Sequence, residues 1–458
     1  MVEFLSLPTE ILHRICCHAD LTSRKALCLT NRLLATISQQ WVFQTTAVSP
    51  LEASCDRLQS ILQNPRIAGY VNKLYIITYD LDEDGDYMHY SDAEDEDYEP
   101  EEETDLPLRF WLLFDRLKDF PCLRSIALRF HPEHSNNEWH EVPQEMAFRS
   151  PSMQRAFAAF AAQPRPLKEL AIADLHNLNE TDPTAVSDIE KVLGGLQALR
   201  LNITNEHREY HGEVDYQRTE AHEFHHSLPS FWLEPTTANL QHLTLYSSLY
   251  CGFYPKLDFR ALHFPHLKTL SLGNYAFIHD SQLSWILSHA DTLVELYLDD
   301  CAILYEVSIS DVENTYLAPE QFTQRDGLGD ALYACYSKRW ADYFRALKDG
   351  LRHLQHFRYG HCPEGWAYNT TPFERESDIE IGLHEESYLV FCDGFGPSPY
   401  MRELIYRYPK EGGDGMKYVH AEPLTPSDED RVALKEFCAK LGQSVRVSSE
   451  GGVSALTI

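Results

Sequence analysis

The segments LQHLTL (residues 240–245), LKTLSL (267–272) and LVELYL (293–298) repeat one pattern, L-x-x-L-x-L, at spacings of 27 and 26 residues. Two further copies precede them, LKELAI from Leu167 and LQALRL from Leu196. Looser versions are VNKLYI from Val71, LRSIAL from Leu123 and LQHFRY from Leu354. Such a pattern makes a short strand, with the leucines pointing inward and the residues between them outward. Amphipathic helices are expected ahead of several strands, over 108–119, 152–163, 184–193 and 281–289. The strongest stripe runs over 331–349, where Leu332, Tyr336, Trp340, Tyr343 and Leu347 share a face and Gly350 supplies the stop. No strand–helix unit of this kind buries its apolar face alone, so the units must stack. The fold class that follows is α/β: an irregular solenoid over 51–410, with a curved sheet on one face and helices on the other. A doubly wound enzyme sheet is the competing α/β arrangement, but no Gly-rich phosphate loop follows any strand.

Residues 1–50 read as three short helices. Leu7 and Pro8 open the first, with Pro in the opening turn, where its missing N–H costs nothing. Ile11, Leu12 and Ile15 then fall at helical spacing on one face. Thr22 or Ser23 is placed to cap a second helix carrying Ala26, Leu27 and Leu29. Asn31 interrupts the pattern, and Leu33, Leu34, Ile37 and Trp41 supply a third stripe. Fifty residues make a thin core, so part of this apolar surface needs a partner.

The stretch LPTEILHRICCHADLTSRKALCLTNRLLATISQQW (7–41) closely resembles an F-box, with its Leu-Pro start, Ile at the following helical positions and late Trp. It departs from that pattern at Cys16-Cys17-His18-Ala19, where the family more often has an aliphatic end to the first helix. LQNPRIAGYVNKLYI (62–76) looks like the junction into the first repeat of fungal F-box/leucine-rich-repeat proteins. The resemblance implies a three-helix F-box followed by an irregular leucine-rich-repeat array. It further implies a substrate-recognition subunit of an SCF-type cullin–RING ubiquitin ligase. The helices would dock on the linker subunit, and through it on a cullin, using Leu7, Pro8, Ile11, Ile15, Leu29 and Trp41. The repeats would hold a protein client on their outward strand positions: Arg129, Arg200, Asn202, His242, Tyr246, Tyr297, Asp299 and Arg358. Aromatic and Arg side chains are the usual anchors of protein interfaces. A chain of this kind catalyses nothing itself; it raises the effective concentration of a client near the ligase. An F-box protein working outside any ligase is a second possibility. A third, of a different class, is an α/β hydrolase or metalloenzyme.

The formal net charge of −31, from 70 acidic and 39 basic residues, argues against nucleic acid and anionic membrane surfaces as partners. Fifteen of the acidic residues lie between Asp80 and Asp105, a stretch without Lys or Arg. It is expected to be a disordered acidic insertion, because it has almost no aliphatic residues to bury. No apolar run approaches the roughly 20 residues that span a bilayer, and no secretory leader is expected. Eleven Cys at irregular spacing, without any CxxC, read as reduced thiols of a cytoplasmic or nuclear protein.

Towards the C-terminus, Ser387–Asp393 reads as a strand and residues 394–397 as a tight turn. Residues 411–458 read as a capping segment and tail, with a helix over 426–441 capped by Thr425. Val432, Leu434, Phe437 and Leu441 form its apolar side. His207, His211, His222, His225 and His226 include two pairs at helical metal-ligand spacing. Their polar surroundings, with no further ligand evident, favour a solvated loop over a metal site. No catalytic residue, cofactor or metal site is expected.

Overall fold

The computed structural model describes residues 7–79, 108–131, 144, 146–204, 216, 218–325, 330–362, 372–392, 395–398, 403–410, 413–420 and 424–443. The acidic stretch 80–105, His207, His211 and Gly394 lie outside the described residues. The structure is mixed α/β with mostly parallel sheet. It divides into two compact units, Met1–Leu175 with Asn179–Leu199, and His176–Leu178 with Arg200–Ile458. Among the described residues, no helix is long and apolar enough to cross a membrane.

The first unit opens with helices α1 (Thr9–His18), α2 (Leu21–Thr30) and α3 (Arg32–Phe43), then strand β1 (Thr45–Val48), α4 (Glu52–Gln63) and α5 (Pro65–Ala68). It continues with β2 (Lys73–Ile77), α6 (Leu108–Phe114), β3 (Ser125–Arg129), α7 (Met146–Ala161), β4 (Glu169–His176) and α8 (Pro183–Leu193). Strands β1 to β4 pair in sequence order and all run parallel. Parallel neighbours need a crossover, which the intervening helices supply. The register places Leu74, Ile126 and Leu170 in one row, and Ile76, Leu128 and Ile172 in the next. All six are buried. Helix α7 begins six residues earlier than expected and carries Pro151 inside it. Its first turn is held by buried Arg149, which donates to the carbonyls of Gln144 (2.9 Å), His131 (2.8 Å) and Asp174.

Strand β5 (Ala198–Thr204) runs across the division, and the second unit continues with α9 (Thr219–Leu228), β6 (His242–Ser247), β7 (Thr269–Gly273), β8 (Ala276–Phe277) and α10 (Asp280–Leu287). Then come β9 (Glu295–Asp299), β10 (Ala302–Ile309), β11 (Thr323–Gln324), β12 (Leu332–Cys335), α11 (Trp340–Gly350) and β13 (His356–His361). The last elements are β14 (Glu380–Ile381), β15 (Tyr388–Cys392), β16 (Phe395–Ser398), β17 (Glu403–Lys410), β18 (Gly413–His420) and α12 (Asp428–Lys440). Strands β6, β7, β9 and β13 are parallel neighbours, and β14 closes that edge antiparallel. Leu243, Leu270, Leu296 and Phe357 form one buried row, and Leu245, Leu272, Leu298 and Tyr359 another. A second sheet orders β11-β12-β10-β15-β16, with β8 on β10.

Three strands carry the same device, β4 within its last three residues and β7 and β9 immediately beyond their ends. Asp174, Asn274 and Asp300 each stand two places after the last apolar repeat position and take a left-handed backbone, with φ of 57°, 52° and 48°. Asp and Asn tolerate that region better than other residues with a side chain.

Several expectations need correction. The helix expected over 331–349 is a strand, β12, followed by α11; Leu332–Cys335 pairs antiparallel with β10. Helix α11 starts only where the Asp342 carboxylate accepts from Arg339 N at 3.0 Å. Asp20, not Thr22 or Ser23, caps α2, and Ser427, not Thr425, caps α12. Phe395–Ser398 is a strand rather than a turn. On α12, Val432 faces solvent while Ala433, Leu434, Phe437 and Cys438 are buried. Beyond it, the Gln443 amide takes both the N–H and the carbonyl of Phe357, each at 3.0 Å, on β13.

Candidate docking surfaces

The three N-terminal helices meet around four buried residues, Leu12, Cys16, Leu34 and Ile37, with Leu7, Leu27 and Trp41 packed against them. Arg24 fastens the bundle through carbonyls: Nε to Cys16 (3.0 Å), Nη2 to Cys17 (2.6 Å) and Nη1 to Trp41 (3.3 Å). The Asn31 side chain caps α3, accepting from Leu34 N at 2.9 Å, which is why the apolar pattern breaks there.

The six residues expected to dock therefore separate. Leu7 and Trp41 belong to the small core. Pro8 stands exposed at the N-cap of α1, one place before the helix. Ile11 and Ile15, one turn apart on α1, are 41% and 37% exposed, and Leu29 on α2 is 89% exposed. Leu12 leaves their face, because at 100° per residue it pairs with Cys16 on the inner side. Leu21 and Leu33 are also exposed, so five large aliphatic side chains within residues 11–33 face water. Single exposed apolar residues are ordinary; this concentration in a bundle with so small a core is not.

The outward strand positions are only partly open. In the first unit, Arg129 is half-buried, with its guanidinium 5.0 Å from the centre of the Tyr75 ring. In the second unit, Arg200, Asn202, His242, Tyr297 and Arg358 are half-buried, and Tyr297 stands opposite Arg358. Tyr246 and Asp299, expected outward, are instead fully buried. The chain itself covers this face. Glu376 Oε1 accepts from Arg200 Nη1, from His242 Nε2 (3.1 Å) and from Thr244 Oγ1 (3.1 Å). Arg200 also holds the Phe373 carbonyl (3.0 Å), and Arg358 the Ile379 carbonyl (2.6 Å). Burial alone would raise the Glu376 carboxyl, but the His242 hydrogen bond and the Arg200 charge hold it down at about 2. Burial and the neighbouring Asp300 push Asp299 up to about 8, and burial with Glu295 raises Tyr297 to about 12. Period-two alternation tells which side of a strand a residue takes, not what lies on that side.

The described part of the histidine-rich segment is a helix, not a solvated loop. His222, His225 and His226 lie on α9, with His222 and His225 buried. Residues 222–226, HEFHH, carry the full H-E-x-x-H spacing, yet the helix does not turn it into a ligand set. His222 Nε2 lies 2.8 Å from the Tyr216 carbonyl, while Glu223 and His226 are exposed. Burial lowers His225 to about 4, so it stays neutral.

One group missed by sequence reading lies at the end of β9. Asp300, His384 and Glu386 bring one ligand atom each to within 4.8 Å of one another, and among the described residues this is the one such group of three. His361 Nδ1 lies 2.6 Å from Asp300 Oδ1, and that bond raises the imidazole's pKa. Burial lowers His384 to about 4, and burial with the Asp300 charge raises Glu386.

The chain matches no family model and no curated protein.

Proposed function

We propose that this chain is a non-catalytic adaptor, the substrate-recognition subunit of an SCF-type ubiquitin ligase. Its F-box-like helices α1–α3 dock on the linker subunit, and its leucine-rich-repeat strands hold a protein client. The observation that carries this reading is the exposure of Ile11, Ile15 and Leu29 on the segment whose sequence resembles an F-box. Burying a Leu or Ile side chain contributes roughly 1.5–3 kcal/mol, so three of them make a competent docking core once covered. Client capture is assigned to the outward positions that retain exposure: Arg129, Arg200, Asn202, His242, Tyr297 and Arg358. Tyr246 and Asp299 leave that set because they are buried. The cysteines are all free thiols, which suits the cytoplasm or nucleus.

The test is a pull-down of the tagged chain from native cells, comparing the unaltered protein with an Ile15→Glu, Leu29→Glu double variant. The linker subunit and a cullin are expected with the former and absent with the latter, while circular dichroism of the two agrees. Linker subunit retained at the unaltered yield would falsify the docking assignment. A scaffolding role outside any ligase would give the linker subunit without a cullin.

A further inference from the structure

We propose that Asp300, His384 and Glu386 bind one Zn2+ ion, with His361 orienting the Asp300 carboxylate. The residues come from two separate places in the second unit: Asp300 from the left-handed turn after β9, and His384 and Glu386 from the N-cap and the middle of the short 3-10 turn Glu385–Ser387 before β15. Only folding brings them together. Their donor atoms lie within 4.8 Å of one another. Two ligands on a zinc ion at about 2.0–2.2 Å stand up to about 4 Å apart, so small side-chain rotations close the set.

Two details point to a ligand rather than to a chance meeting of polar groups. Asp300 is 3% exposed, so the set is built around a buried carboxylate and not on a solvated acidic surface. The Nε2 of His384 is sealed from water and makes no hydrogen bond among the described residues, although it faces Asp300 Oδ1 at 4.0 Å. A buried ring nitrogen without a partner is costly and calls for one. His361 holds Asp300 Oδ1 from outside at 2.6 Å. Ligating carboxylates are commonly fixed by such an outer hydrogen bond.

The donor set selects the metal. One imidazole and two carboxylates suit zinc; calcium takes six to eight oxygens, and magnesium keeps most of its water. The buried thiol nearest in sequence, Cys301, is turned to the Leu272 carbonyl at 3.4 Å and adds no sulfur. An ion held here would tie the β9 end of the repeat sheet to the turn that leads into β15. The consequence is mechanical, a fastening of the second sheet to the first.

The experiment uses the full chain, stripped of metal and titrated with ZnCl2 by calorimetry, with MgCl2 as comparison. One zinc per chain is expected with a Kd of about 10 μM or tighter, a rise in melting temperature, and no heat from magnesium. His384→Gln and Glu386→Gln should each weaken binding by at least about 10- to 100-fold, the range that loss of an outer partner of a metal ligand already costs. A triple variant, His207→Ala, His211→Ala and His226→Ala, should bind as the unaltered chain does. Equal affinity in His384→Gln and Glu386→Gln, or loss only in the triple variant, overturns the proposal. Should the Gln variants not fold, X-ray absorption of the Co2+-loaded unaltered chain decides instead. Oxygen donors with one or two imidazoles support the site; sulfur donors, three or more imidazoles, or no Co2+ uptake overturn it.

Discussion

Tyr246 on β6 packs against Gly273 on β7, its ring filling the space where any other residue would carry a β-carbon. Glycine is required there by the ring. Gly273→Ala should therefore force the buried Tyr246 to move and lower stability by about 1–3 kcal/mol, read as a shift in urea midpoint. Gly442 is the control. Among the described residues nothing lies within 4 Å of its missing side chain and its φ is +71°, so alanine there should cost only the backbone strain, about 1 kcal/mol.

Glu376 ties the segment Pro372–Asp378 to the strands, and its titration gives that tie a pH signature. The folded-state pKa, about 2, is below the ordinary 4.5, so the stabilisation is complete above pH 4.5 and disappears as pH falls towards 2. Glu376→Gln should lower stability at pH 7 by on the order of 2–3 kcal/mol. The gap between variant and unaltered chain should narrow steadily below pH 4.5 in denaturant titrations. A gap independent of pH would mean that shape, not charge, holds the segment.

Asp430 is the hub between α11 and α12. It is buried and accepts from Arg339 Nη2 (2.7 Å), Ala341 N (2.9 Å) and Ser427 N (2.8 Å). Asp430→Ala strands the Ala341 and Ser427 N–H groups, leaves Arg339 Nη2 only the Thr425 carbonyl, and should cost about 3 kcal/mol by chemical denaturation. Asn, which keeps part of the set, should cost less.

Leu29 and Leu12 offer a paired test of the N-terminal bundle. Leu29→Ala, at an exposed position, should change stability by no more than about 0.5 kcal/mol. Leu12→Ala opens the four-residue core and should cost about 2–4 kcal/mol, measured as loss of helical signal on heating.

The inward half of the repeat strands was readable from sequence because a two-residue period fixes sidedness. Leu243, Leu270 and Leu296 line up as the pattern predicts. Order over longer distances was not readable. Leu332 and Tyr336 fit a helical stripe with Trp340, but β10 offered a strand partner to Leu332–Cys335 and won. Ile11, Leu12 and Ile15 looked like one face until Cys16, counted as a thiol, proved to be a core residue beside Leu12. Tyr246 and Asp299 kept their sidedness and still lost their exposure. Asp300 and His384 are separated by most of a hundred residues with no motif between them, so their meeting had no signal in one dimension.

Arg200 and Glu376 are 176 residues apart in the chain. A ribosome adding about 5–20 residues per second needs roughly 10–35 seconds to travel that distance. For the last 132 residues of that interval Arg200, His242 and Thr244 have all been made, while the carboxylate that will neutralise and cover them has not. The nascent protein thus passes through a stage in which this sheet face is bare, basic and open to whatever acidic or apolar binder is nearby. Chaperone engagement during synthesis should concentrate in that window and end once residue 376 has cleared the exit tunnel.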